Sequence, residues 1–382
     1  MQNVYGNMHI LLLPDIEYLA LQMFVRHLTE RCEGIQSVTD EMNKPNFPIP
    51  DFFDTNKVGT VWRIPYEERA KQAQDLARQH GIQPASADST KTWLLLIDVQ
   101  NTFCIPDFEL YVGGRSGRGA VEDNTRLCEF IYGNLGNITH ITATMDTHRT
   151  MQVFHAVFFV DKDGNHPAPY TDIQASDLRD GKWVFNSAIA SQFGIAPEYG
   201  QQMMIHYAEE LEKKGKYALT IWPYHAMLGG IGHALVSSVE EALFFHSIAR
   251  NAQYEVEIKG DKPFTENYSA IGPEVLTGPM GEMLGKHNPK FIEQLQQFDR
   301  LIIAGQAKSH CVAWTVSDLL EDIAMVDLEL AEKVYLLEDC TSPVVVPGVV
   351  DHTDAADAAF ERFAKVGMHL IKSNASTFNL KS

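Results

Sequence analysis

The chain has 382 residues, 45 % hydrophobic and 21 % charged, an ordinary globular balance. Its length exceeds what one three-layer domain of common size needs, so a core domain with elaborations is expected. Acidic residues number 50 against 31 basic ones, a net charge of −19. A field of that sign repels phosphate backbones and anionic membrane surfaces, which argues against nucleic acid and membrane partners and leaves a small neutral or cationic molecule as the expected ligand.

Five cysteines (Cys32, Cys104, Cys128, Cys311, Cys340) are scattered without a CxxC pair. Neither a disulfide framework nor a thiolate zinc site is indicated, and a reducing, cytoplasmic setting is the simplest expectation. The apolar run Ile10 to Leu13 is stopped by Pro14 and Asp15 and lacks a basic flank, so neither a leader nor a membrane span is expected there.

Residues 1–90 read as a helical and irregular N-terminal extension without evident chemistry. An amphipathic helix is expected over 16–32 and an irregular loop over 41–55. A helix is expected over 65–80, with Pro65 near its start. From about residue 91 short apolar runs alternate with helix-like segments. The runs are Trp93–Val99, Ile138–Thr144, Ala218–Trp222, Glu255–Lys259, Leu301–Ala304, Lys333–Leu337 and Met368–Lys372. The helical segments are 121–135, 238–252, 312–325 and 354–366. Leu94-Leu95-Leu96-Ile97 is apolar on both faces, as a buried parallel strand requires. The pattern predicts an α/β fold over residues 91–382: three layers, α/β/α, around a mostly parallel sheet. Residues 160–216, with the turn signal Asp161-Lys162-Asp163-Gly164-Asn165 and two expected helices, read as an insertion.

Ligands bind beyond the carboxyl ends of strands in such sheets, which singles out Asp98, Gln100, Asp146, His148, His225, Lys259 and Cys311. Cys311 stands where a helix begins, and a helix N-terminus lowers a thiol's pKa from about 8.5. A buried structural cysteine is the alternative. Asp98 directly follows an apolar strand and reads as a general base or as a turn cap. Lys259 reads as a partner for both or as a solvated strand end. Asp146-x-His148, with His155 and His225, reads as a histidine/carboxylate metal site or as chance spacing.

Their order along the chain resembles the nicotinamidase/isochorismatase superfamily. Asp98-Val99-Gln100-Asn101-Thr102-Phe103 is similar to the Asp-x-Gln-x-x-Phe opening motif of nicotinamidases. Asp146-Thr147-His148 resembles that family's first metal motif, and Trp222-Pro223-Tyr224-His225 its second. Lys259-Gly260 with Tyr268-Ser269-Ala270 resembles the catalytic lysine segment, and Gly305-Gln306-Ala307 through Cys311-Val312 the nucleophile turn. The resemblance spans residues 92–375. It implies Cys311 as nucleophile, Asp98 as proton carrier and Lys259 bridging the two. It implies the Ala307 and Cys311 amides as an oxyanion hole, with a cis peptide before Ala307. Asp146, His148 and His225, with His155 as a further candidate, would bind a divalent metal: zinc first, iron or manganese as alternatives. Phe103, Trp222, Tyr268 and Gln100 would contact substrate.

The implied activity is hydrolysis of a small amide, nicotinamide to nicotinate and ammonia, through a thioester, by a homo-oligomer. Another superfamily reaction, on maleamate, a ureido compound or an isochorismate-like ether, is the alternative, as is a non-catalytic binding protein retaining the fold. The chain departs from the pattern at Ala226, usually Cys, at Gly229-Gly230, usually Gly-Thr, and at Lys308-Ser309-His310, usually Thr-Asp or Tyr-Asp before the nucleophile. His148 to His155 is one residue longer than usual and Lys259 to Tyr268 two. His310 suggests a rim residue or a Cys-His pair.

Overall fold

Along the first long strand Trp93, Leu95 and Ile97 alternate with Leu94 and Leu96, and all five are fully buried. A strand sends successive side chains to opposite faces, so a strand apolar at every position must be covered on both sides. The computed structural model, which describes residues 47–214, 217–348 and 350–374, shows that cover. The helix expected over 16–32 and residues 41–46 of the expected loop lie outside the described residues.

Six strands form the central sheet: β1 (Thr92–Ile97), β2 (His140–Asp146), β3 (Glu255–Lys259), β4 (Arg300–Gly305), β5 (Val334–Leu337) and β6 (His369–Ile371). Their order is β3-β2-β1-β4-β5-β6, and every neighbouring pair is parallel. The principal helices are α1 (Tyr66–His80), α2 (Gly119–Gly133), α3 (Pro197–Lys214), α4 (Ser237–Arg250), α5 (Lys290–Gln297), α6 (Ala313–Val326) and α7 (Thr353–Lys365). Leu94 and Leu96 pack with Leu127 and Ile131 of α2 and Leu243 of α4. Trp93, Leu95 and Ile97 pack on the other face with Phe291 of α5, Val316 and Ile323 of α6 and Phe360 and Phe363 of α7. The expected three-layer α/β/α arrangement is therefore the observed one. Truncating one of these leucines to alanine would cost about 2–5 kcal/mol in lost transfer energy and cavity.

The expected helix over 65–80 is α1. Pro65 caps its start and Gly81, at φ 65°, closes it in the left-handed conformation glycine adopts without penalty. Residues 47–91 lie against α2 and α4: Phe52 rests on Tyr132 and Phe245, and Arg69 pairs with the buried Glu241.

One expected strand is not in the sheet. Of 218–222 only Leu219–Thr220 is extended, and it pairs antiparallel with Asp172–Ile173. Leu219 and Ile221 are buried instead in a third apolar cluster with Phe158, Met204 and Tyr207. An apolar run with β-propensity looks the same whether it enters the central sheet or a separate small core, which is why the pattern misleads here. No helix among the described residues is long and apolar enough to cross a membrane.

The strand order reverses between β1 and β4. Chains leaving those two carboxyl ends diverge and leave a crevice, the place where doubly wound sheets bind ligands.

Candidate active site

Asp98 leaves β1 in the left-handed region, at φ 47°. Asp is one of few non-glycine residues that tolerate this conformation, at a cost of about 1–2 kcal/mol. Thr144 of β2 offsets it: its hydroxyl accepts from the Asp98 N–H at 3.0 Å and donates to Asp98 Oδ1 at 2.6 Å. The clamp turns Oδ2 toward Lys259 Nζ, 3.0 Å away.

Lys259 ends β3 and is 4 % exposed. Its ammonium also meets Asp146 Oδ1 at 3.2 Å, the Asn267 carbonyl at 2.9 Å and Cys311 Sγ at 3.6 Å. Burial alone would depress its pKa. The Asp146 and Asp98 carboxylates and the Cys311 sulfur outweigh burial and hold it well above the usual lysine range. The lysine is therefore a fixed positive charge shared by two acids and a thiol.

Cys311 arrives from β4 through Gly305, a cis Gln306–Ala307 peptide and a π-helical turn, Lys308–Val312, that runs into α6. Gly305 sits at φ 116°, and a Cβ there would lie 2.1 Å from the Ile97 carbonyl oxygen; no other residue fits. The expectation of a lowered thiol pKa is corrected. Burial pushes Cys311 well above the usual thiol value; Lys259 pulls it down, while Asp98 and Asp146 push it up. Asp98 is likewise raised, first by burial and further by Asp146, against the pull of Lys259. Burial and the two acids set the direction at this sulfur, against the pull of the lysine.

Asp146 ends β2. His148 Nε2 lies 2.7 Å and His225 Nε2 3.5 Å from its Oδ2. Both rings are held from behind: His148 Nδ1 on the Gly260 carbonyl at 3.1 Å, His225 Nδ1 on the Pro223 carbonyl at 2.8 Å. That pattern turns both Nε2 atoms toward one carboxylate oxygen, the usual arrangement of metal-binding histidines. Burial opposes ionisation of Asp146, but His148 and Lys259 hold it well below the carboxylate range. Gly260, at φ 80°, leaves room for this: a Cβ there would sit 2.7 Å from Asp146 Oδ1. Ala226, at φ 45°, joins the two histidine segments by accepting from the His148 N–H at 3.0 Å. The three donors lie within 4.8 Å of one another, and one carboxylate with two imidazoles suits zinc, iron(II) or manganese.

His155 is not brought into that group of three. Its ring packs against Phe154 and Tyr224, its Nδ1 contacts the Thr150 carbonyl, and its Nε2 is buried without a partner among the described residues; burial holds its pKa down to about 3.

These groups open on a cavity of about 290 Å³ lined by Phe103, Trp222, Tyr268, Ala307 and Cys311, among others. Trp222 Nε1 donates to Tyr268 Oη at 2.8 Å. Gln100, expected to touch substrate, does not line it. Its amide exchanges bonds with the Asp146 backbone, and its Nε2 also reaches the His233 carbonyl. The motif glutamine is a brace for a strand end. His310 does line the cavity, but its Nδ1 meets Ser309 Oγ at 2.8 Å, and burial holds its pKa near 3.

Sequence reasoning missed Thr144, Asp123 and Glu266. Asp123 of α2 accepts from Gln306 Nε2 at 2.8 Å, beside the cis peptide. Glu266 is a buried carboxyl in the cavity wall. Thr144 and Asp123 lie in elements whose pattern reads as strand and helix and nothing more. Glu266 lies between two motif segments and carries no signal of its own.

No protein family and no curated protein matches the chain. Among solved structures it is similar to a nicotinamidase/pyrazinamidase from Acinetobacter baumannii (15 % identity, 75 % of this chain and 98 % of that one, TM-score 0.42). It is similar also to the yeast nicotinamidase (17 %, 74 % and 99 %, TM-score 0.43) and to an N-carbamoylsarcosine amidase from Thermoplasma acidophilum (13 %, 75 % and 99 %, TM-score 0.36). At these identities the likenesses are distant.

Proposed function

We propose that this chain is a cysteine amidohydrolase that cleaves a small ring-bearing amide, of which nicotinamide is the simplest, through a thioester. The observation that carries the reading is the Lys259 ammonium within 3.0 Å of Asp98 and 3.6 Å of Cys311 at the wall of an aromatic-lined cavity. A neutral thiol beside a carboxylate needs only a short proton transfer to become a nucleophile, and the lysine stabilises the charge wherever it lands.

In this mechanism Asp98 takes the Cys311 proton as the sulfur attacks the amide carbonyl. The backbone N–H groups of Ala307 and Cys311 hold the oxyanion, a type of contact worth about 10²–10³ in rate. Asp98 returns its proton to the leaving nitrogen, the C–N bond breaks and ammonia departs. Asp98, again a carboxylate, takes a proton from water; the hydroxide attacks the thioester, the C–S bond breaks, and the proton passes back to the sulfur. The acid product leaves and the thiol is restored.

Asp146, His148 and His225 would hold a divalent metal, zinc as first choice. Bound there it would supply a Lewis acid that anchors a ring nitrogen of the substrate. Phe103 and Trp222 line the cavity that would receive the ring.

The test is ammonia release from nicotinamide by purified protein of measured metal content, with Cys311→Ala as control. Turnover abolished in the variant is the expected result. No turnover by metal-loaded protein removes nicotinamide as substrate.

A further inference from the structure

Glu266 takes no part in the proposed amide chemistry, yet it occupies the wall of the same cavity and is 3 % exposed. Its position is built. The Glu266 N–H donates to Tyr207 Oη at 3.0 Å, and the Tyr207 hydroxyl donates to Glu266 Oε2 at 2.9 Å. Tyr207 comes from α3 and is itself fully buried. Tyr268 and Trp222 stand beside the carboxyl and line the cavity with it. A second acid, Glu274, follows on the same loop, its N–H donating to the Glu266 carbonyl at 2.8 Å.

A carboxyl buried among aromatic rings is costly unless something charged is brought to it. Burial, with Glu274 adding to it, pushes Glu266 up to about 8, so among its own neighbours it is mostly neutral at pH 7. A cationic group placed against it ionises it. The faces of Trp222 and Tyr268 attract cations as well, and the net charge of −19 favours their approach.

We propose that Glu266 is a specificity-determining residue that selects amides whose ring carries a basic nitrogen substituent, holding the protonated nitrogen while the scissile amide lies at Cys311. This rests on the amidase reading above. The Glu266 carboxyl gives the site a preference that a cavity lined only by rings would not have.

The experiment compares matched nicotinamides carrying an aminomethyl or an ethyl group at each open ring position. Affinities are measured on the Cys311→Ala protein, with and without Glu266→Gln, and kcat/KM on the wild type. In the Cys311→Ala protein at least one aminomethyl compound binds more tightly than its ethyl partner by about 10- to 100-fold, the range of a charge-assisted hydrogen bond. Glu266→Gln removes that ratio. Should the glutamine variant not fold, Glu266→Asp serves: it keeps the charge but retracts it, and the ratio falls without vanishing. No discrimination at any position, or discrimination that survives the loss of the carboxylate, overturns the proposal. Absence of hydrolysis across the panel sinks the amidase reading alone, because the affinity ratios still decide the role of Glu266.

Discussion

The side-chain amide of Gln100 and the backbone of Asp146 exchange two hydrogen bonds: Asp146 N–H to Gln100 Oε1 and Gln100 Nε2 to the Asp146 carbonyl, each 2.8 Å. This pair ties the end of β1 to the end of β2 in the manner of one more step of sheet, just past the last regular pairing of those strands. It sets the position of a carboxylate that faces two imidazoles.

Gln100→Ala leaves both Asp146 backbone groups buried and unpaired, at about 1–3 kcal/mol each. The carboxylate then drifts relative to His148 and His225, and metal affinity falls about 10- to 100-fold, as for other residues that orient a ligand from behind. Competition with a chromophoric chelator measures it. Unchanged affinity would mean that the brace is dispensable.

Lys259→Met removes the positive charge shared by Asp98 and Asp146 and leaves two buried acids without it. Breaking such a buried pair costs about 3–5 kcal/mol, read by urea unfolding, and amide turnover is lost. Lys259→Arg does not rescue it, because a planar guanidinium cannot reproduce the point contacts to Asp98, Asp146 and Cys311. An arginine variant with wild-type turnover would contradict this role for the lysine.

Asp123 holds Gln306 through a 2.8 Å bond and pairs with Arg126 at 2.9 Å. Asp123→Ala frees the residue preceding Ala307 and lets the proposed oxyanion amide wander. A misplacement of about 1 Å can cost about 10²-fold in rate. The expected signature is a fall in kcat with KM little changed. Loss confined to KM points instead to the cavity wall.

His246 of α4 is buried, contacts the Ile138 carbonyl at 2.9 Å through Nε2, and is held by burial at about 4. Its unfolded-state pKa is about 6.5. Between those two values the unfolded chain binds the proton and the folded chain does not, so stability falls as pH drops from 6.5 toward 4. One such group contributes a slope of at most about 1.4 kcal/mol per pH unit. His246→Gln keeps a hydrogen-bond donor and shallows that slope. Denaturation curves at pH 4.5, 5.5 and 6.5 compare the two proteins, and parallel pH profiles would refute the assignment.

Much of the architecture was legible along the chain. The uniformly apolar Trp93 to Ile97 run required cover on both faces, and alternation with amphipathic helices implied parallel pairing. Six of seven expected strands entered the sheet. The seventh, at 218–222, did not, because an apolar run states that it will be buried and not in which core. The candidate site residues were named from strand ends and motif order, and most of them meet in space. Asp98, Lys259 and Cys311 come from β1, β3 and the turn after β4, 161 and 52 residues apart in sequence along the chain.

What the sequence determined by itself was therefore local and periodic: which segments bury both faces, where they stop, and which reactive side chains stand at the stops. The tertiary structure alone decided the rest. It turned Gln100 away from substrate and onto the Asp146 backbone, left His155 outside the donor group, and raised the thiol that a helix start was expected to lower. It also put Glu266 in the cavity wall against a tyrosine from α3. Each of these depends on what stands opposite a side chain across the fold, and on how much water remains between them. Neither is encoded in spacing along one chain.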